Sequence, residues 1–149
     1  MEVTSVTSEE TRPLRHLVLR STQPVESTVY PGDDDPATRH FGAFDGGRLA
    51  GVASLYREAR PGGPSPGWRL RGMATAPDAR RQGAGRALLG ACRDHVAAAG
   101  GGELWCNARR PAVPFYAAAG FEVVGDEFEV EGIGPHLVMR VDVPAGPPR

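Results

Sequence analysis

Hydrophobic and polar positions alternate with two different periods along this chain, and the switch between them divides it into elements. Met1–Val6 alternates weakly and predicts a first strand. Ser8 and Thr11 offer N-cap oxygens, Pro13 suits a first helical turn, and Leu14, Leu17 and Val18 recur at helical spacing, so a helix extends to about Arg20. Residues 21–39 are polar and turn-rich and read as a long loop, of the kind that serves as a binding loop or lid. Within it Asp33, Asp34 and Asp35 form an acidic cluster, either a solvated turn or a rim that attracts a cationic substrate. Two apolar runs between His40 and Glu58, joined at Asp45-Gly46-Gly47, predict a hairpin, and Trp68–Ala76 predicts a further strand ending at Pro77. From Ala84 the period becomes helical. Ala84, Ala87, Leu88, Ala91, Cys92, His95, Val96 and Ala99 make one small-residue stripe, closed by three glycines from Gly100. A short strand (Glu103–Ala108), a helix (Pro111–Ala119) and two closing strands around the loop Gly132–Pro135 complete the pattern. The order β-α-loop-β-β-β-α-β-α-β-β implies an α/β fold, a mixed sheet with helices on its faces, in one domain over 1–143, and residues 144–149 read as a disordered Pro-rich tail.

Composition narrows the chemistry. A net charge of −1 gives no overall attraction to nucleic acid or an anionic membrane, and the basic residues are not interleaved with aromatics. There is no lysine, which excludes a Schiff base or a Walker lysine within the chain. Cys92 and Cys106 have no metal-ligand spacing and read as small buried hydrophobes, so no metal is expected. The first residues lack the apolar run of a signal peptide and no segment reads as a bilayer span, which fits a cytoplasmic protein with reduced thiols.

The stretch Arg80-Arg81-Gln82-Gly83-Ala84-Gly85 lies between a predicted strand and a predicted helix. Glycines there let backbone N–H groups approach a ligand, and a helix start leaves donors unpaired and carries partial positive charge. With Arg80, Arg81 and Arg86 alongside, the turn can cradle a pyrophosphate, whereas neither a Walker loop nor a dinucleotide fingerprint is present.

The block "WRLRGMATAPDARRQGAGRALLGACRDHV", followed by "LWCNARRPAVPFYAAAGFEVVGDEF", resembles the GNAT superfamily of N-acetyltransferases, covering Trp68 to about Phe128 in the family's order. The resemblance implies a mostly antiparallel sheet in which two central parallel strands splay apart to admit acetyl-CoA. It implies that Met73, Ala74 and Thr75 offer backbone to the pantetheine arm and that Gly72 suits a strand-opening bulge. By the same resemblance Arg80, Arg81, Gln82, Gly83, Ala84, Gly85 and Arg86 would hold the pyrophosphate. Asn107 would contact the cofactor and Phe115 would wall the arm. Tyr116 would be the general acid for the departing thiol. For a general base, His136 is favoured because its loop should overhang the acceptor side, against the plainer reading of a histidine bonded within a turn; Glu131 and His40 are weaker candidates. His16 and His95 read as packing or surface residues. The implied acceptor is an amine of a small molecule or peptide, and the protein a monomer or homodimer. A non-catalytic acyl-CoA-binding or regulatory domain of the same fold is the alternative, with Tyr116 and Asn107 favouring the enzyme.

Overall fold

The computed structural model describes residues 1–146. Seven strands form one sheet: β1 (Glu2–Ser5), β2 (Arg39–Asp45), β3 (Arg48–Arg57), β4 (Gly67–Thr75), β5 (Gly102–Arg109), β6 (Glu122–Val130) and β7 (Gly134–Val143). Their spatial order is β1-β2-β3-β4-β5-β7-β6, and only β4 and β5 run parallel. The predicted hairpin closes as a two-residue turn, with Gly46 and Gly47 both at positive φ (57° and 88°), the twist that such a tight turn requires.

Alternation along β3 shows how the sheet is covered. Ala53 and Leu55 belong to a core with Leu88, Leu89, Cys92 and Val96 of helix α2 (Ala84–Ala98), whereas Ala50 and Val52 belong to a second core with Leu14 of helix α1 (Ser8–Leu14). Helix α3 (Val113–Ala118) contributes Tyr116 to the α2 side. Central strand β3 is therefore apolar on both faces. Leu55 and Leu88 are fully buried, and truncating either to alanine would cost about 2–5 kcal/mol.

The α1 cap differs from expectation. Thr7, not Ser8 or Thr11, accepts the Glu10 N–H at 3.1 Å while the Glu10 carboxylate accepts the Thr7 N–H at 2.9 Å, a reciprocal capping box. Pro13 lies inside the helix rather than in its first turn, where it lacks an N–H to donate. The chain then widens into a π-turn over Arg15–Leu19, closed by the Arg20 N–H on the Arg15 and His16 carbonyls. At the far end of α2, Gly101 (φ 78°) is required: a Cβ there would lie 2.6 Å from the Ala145 nitrogen. Pro144–Gly146 run without regular structure beside α2, with the Gly146 N–H on the Ala97 carbonyl; residues 147–149 of the expected tail lie outside the described residues. No described helix is long and apolar enough to cross a membrane.

Two irregularities open the sheet. In the β3–β4 ladder Val52 pairs with Ala74 and Ser54 with Arg71, so β4 advances three residues against two of β3. The extra residue falls at Gly72–Met73, and Gly72 has φ 69°, a bulge that glycine adopts without Cβ strain. The bulge reverses the alternation: Trp68 and Leu70 face α2, but Ala74 faces α1. Second, β4 and β5 pair only from Gly67–Glu103 to Arg69–Trp105. Leu70–Thr75 have no register partner on β5, and Cys106–Arg109 have none on β4, so the two strands part.

Candidate active site: a cleft between parting strands

The parted strands enclose a cleft of about 340 Å³. Of the residues expected at the site, Met73, Asn107, Phe115, Tyr116 and His136 line it. Ala74 and Thr75 pair with Val52 and Gly51 on β3 but have no partner on β5. Arg80–Arg86 lie outside the cleft lining, at the turn that follows β4. That turn is bridged by a short 3-10 segment, Pro77–Ala79. Arg81 and Gly83 both hold positive φ (66° and 91°), and Gly83 is the N-cap of α2. A Cβ on Gly83 would meet no atom within 4 Å, so glycine is needed here for its backbone angle and not to relieve internal packing. No side chain caps α2, which leaves its first-turn N–H groups open beside the exposed Arg80, Arg81 and Arg86. This arrangement suits an anion. Phe115 links turn and cleft: its ring lies 3.4 Å from the Cβ position of Gly85, and 5.1 Å from the Tyr116 ring.

Tyr116 is buried beside the Cys106 thiol. Burial, reinforced by Cys106, pushes its phenol well above the ordinary value, so it stays protonated across physiological pH. Burial likewise pushes the Cys106 thiol up to about 12. Phenol and thiol are thus brought together in a setting that disfavours either anion. Asn107 lines the cleft from β5 and has no side-chain hydrogen bond to a described residue.

His136 bonds a carbonyl two residues back, as its plainer reading expects, and its ring also lines the cleft. The β6–β7 connection is shorter than expected, because β7 begins at Gly134 and places His136 on the strand opposite Phe128. Its Nδ1–H donates to the Gly134 carbonyl at 2.8 Å, which leaves the Nε2 lone pair free on a ring that lines the cleft. Glu131 is exposed outside the lining.

Asp33 is neither a solvated turn nor a rim charge. It is buried, accepting from Arg15 Nη1 (2.8 Å) and Nη2 (3.1 Å), the Tyr56 hydroxyl (2.5 Å) and the Tyr30 N–H (2.9 Å). Burial alone would raise its carboxyl, but these donors, Arg15 foremost, hold it below the usual range. Arg15, fully buried, also donates to Ser54 and to the Thr28 carbonyl. His40 closes the same network, its Nε2–H on the Asp33 carbonyl and its Nδ1 accepting from Ser54, so it has no nitrogen free to act as a base. His16 bonds the Gln23 carbonyl, and His95 stacks edge-on to Trp68. The network lies behind the bulge: a Cβ on Gly72 would fall 3.2 Å from Arg15 Nε and from the Tyr30 ring.

The family profile described as "Acetyltransferase (GNAT) domain" matches residues 19–143. The chain belongs to the GNAT acetyltransferase family. A GNAT relative from Bacillus subtilis (strain 168), described as "Uncharacterized N-acetyltransferase YitI", is 36% identical over 140 residues, covering 93% of this chain and 94% of the relative. Among solved structures, an aminoglycoside 6'-N-acetyltransferase complexed with coenzyme A superposes with a TM-score of 0.76 at 14% identity, covering 99% of each chain. The ribosomal-protein-S18-alanine N-acetyltransferase of Escherichia coli does so at 0.76 and 18%, covering 97% of this chain and 95% of the other. These two likenesses establish the GNAT fold, with its parted central strands.

Several residues at this GNAT cleft were missed by sequence reasoning. Arg20, Tyr30, Arg69, Arg71 and Arg109 all line it. The alternation "WRLR" marks Arg69 and Arg71 as one face of a strand, which was visible. What covers that face was not, because Tyr30 arrives from a loop with no periodicity and Arg20 from the far end of the first helical segment.

Proposed function

We propose that the protein is an acetyl-CoA-dependent N-acetyltransferase that moves an acyl group directly from the CoA thioester to an amine of a small molecule or peptide. The observation that carries this reading is the stretch of β4 after the Gly72 bulge that has no partner on β5, which continues into the glycine turn and open amides of α2. An extended pantetheine arm can pair along Met73–Thr75 as an added strand would. Arg80, Arg81, Gln82, Gly83, Ala84, Gly85 and Arg86 would then receive the pyrophosphate. Asn107 and Phe115 would flank the arm.

In the transfer, the neutral amine attacks the thioester carbonyl carbon, the C–S bond breaks, and the sulfur leaves with its electron pair. The N–H of Met73 or Ala74 at the bulge polarises the carbonyl. Tyr116 gives its proton to the departing sulfur. A phenol is ordinarily too weak an acid for a thiolate whose thiol titrates near 8.5. Burial raises the Cys106 thiol as well as the phenol, so a thiolate leaving into the same cleft would be a stronger base than in water. His136 Nε2, whose partner nitrogen is held by the Gly134 carbonyl, would take the proton that the amine loses.

The test is acetyl-CoA consumption with a broad amine panel and mass spectrometry of the products. Stoichiometric CoA release with an N-acetylated product is expected. Saturable acetyl-CoA binding with no turnover on any amine would favour a binding domain instead.

A further inference from the structure

We propose that the α1 side of the cleft is an oxyanion receptor, so that the acceptor amine carries a carboxylate or phosphoryl group. This rests on the acetyltransferase reading for the word acceptor, but the receptor itself follows from side chains alone.

Trp68 and Leu70 of β4, and Leu104, Cys106 and Ala108 of β5, belong to the α2-side core. The alternate residues Arg69, Arg71, Asn107 and Arg109 therefore face the α1 side. Arg20 joins them from the end of the π-turn, and Tyr30 from the loop. The cleft lining holds four arginines and no carboxylate. Their internal partners are poor. Arg109 reaches the Leu19 carbonyl, Arg20 the Gln23 amide oxygen, and Arg69 only the half-exposed Glu58 at 3.4 Å. Arg71 lies over the Tyr30 ring at 4.1 Å and has no hydrogen bond or ion pair among the described residues. Burial, then Arg69, lowers the Arg71 guanidinium from its ordinary value, and burial, then Arg20, does the same to Arg109.

Arg15 nearby shows the contrast, because Asp33 already neutralises it. Half-buried like charges that share only the distant Glu58 as counter-ion favour an incoming anion, and a planar guanidinium stacked on an aromatic ring is pre-set for two parallel bonds to an oxyanion. None of Arg80, Arg81 and Arg86 lines this cleft, so the charge is separate from the turn before α2.

Calorimetric titration of neutral and anionic product analogues tests this directly. N-acetylated α-amino acids with a range of side chains, N-acetylaminomethylphosphonate, and the carboxamide of each amino acid would be titrated into the protein with and without saturating CoA. At least one anion should bind tenfold or more tighter than its matched amide, with the preference falling as salt rises. A stronger carboxylate or phosphonate response identifies which oxyanion is read. Arg71→Gln should remove the preference and leave CoA affinity unchanged; Arg109→Gln, checked for folding by circular dichroism, should weaken it. Amides binding as well as every anion, or a preference that survives Arg71→Gln, overturns the receptor. Because the anion preference is also measured without CoA, failure of CoA binding or turnover sinks the acetyltransferase reading alone.

Discussion

Replacing Asp33 with alanine removes a carboxylate that four donors share: two from Arg15, one from Tyr56 and one from the Tyr30 backbone. The Arg15 side chain has no exposed surface and that of Asp33 only 2%. The variant therefore leaves a guanidinium in the interior with only neutral acceptors. Summing four bonds would overstate the effect, because they act as one unit and water can enter the space. Breaking one side of a buried pair costs about 3–5 kcal/mol. For a chain of this length that corresponds to a midpoint lowered by roughly 6–20 °C, at about 2–4 °C per kcal/mol. Urea or thermal unfolding at pH 7 measures it. The double variant Arg15→Met with Asp33→Ala should recover part of the loss, since no charge is left unpaired. Linkage gives a second readout. The native carboxyl sits below its unfolded value of about 3.9, so its contribution is full above that pH and disappears as pH falls through the lowered native value. That acid-dependent portion should be missing from Asp33→Ala. A loss under about 1 kcal/mol, or a double variant less stable than Asp33→Ala alone, would refute the network's role.

Tyr116→Phe should reduce turnover by about a hundredfold or more while the KM for acetyl-CoA holds; unchanged turnover across pH would remove Tyr116 as the acid. Gly83→Val adds a Cβ in open space at φ 91°, costs about 1–2 kcal/mol of stability, and should weaken acetyl-CoA binding at least tenfold by calorimetry. Retained affinity would mean the turn before α2 does not hold the cofactor. Burial pushes both Cys92 and Cys106 thiols up to about 12, so iodoacetamide at pH 8 should leave both unmodified in the native protein by mass spectrometry, and rapid labelling of Cys106 would contradict the closed phenol–thiol contact.

The fold was legible wherever local pattern and burial agree. The hairpin at Gly46-Gly47 follows from two apolar runs around a glycine turn, and the stripe of α2 and the α/β order follow from periodicity. Gly72 was legible as a bulge only through the family resemblance; its physical role, the reversal of side-chain direction between Leu70 and Ala74, depends on the β3 register. The α1 boundary was misplaced because Ser8 and Thr11 have the same capping chemistry as Thr7, and only the reciprocal bond with Glu10 selects among them. The acidic run at 33–35 misled for a different reason. A carboxylate in a polar loop looks solvated unless its partner is known, and Arg15 is eighteen residues away on the preceding helical segment. The arginine face of the cleft has the same origin, since its four arginines come from three separate segments.

Amide chemical-shift mapping during an acetyl-CoA titration tests the central claim most directly. The account predicts saturable shifts concentrated at residues 72–75 along parted β4, at 83–86 where α2 opens, and at Asn107 across the cleft. Saturable shifts elsewhere with those amides unmoved, or no shifts at millimolar acetyl-CoA, would contradict it.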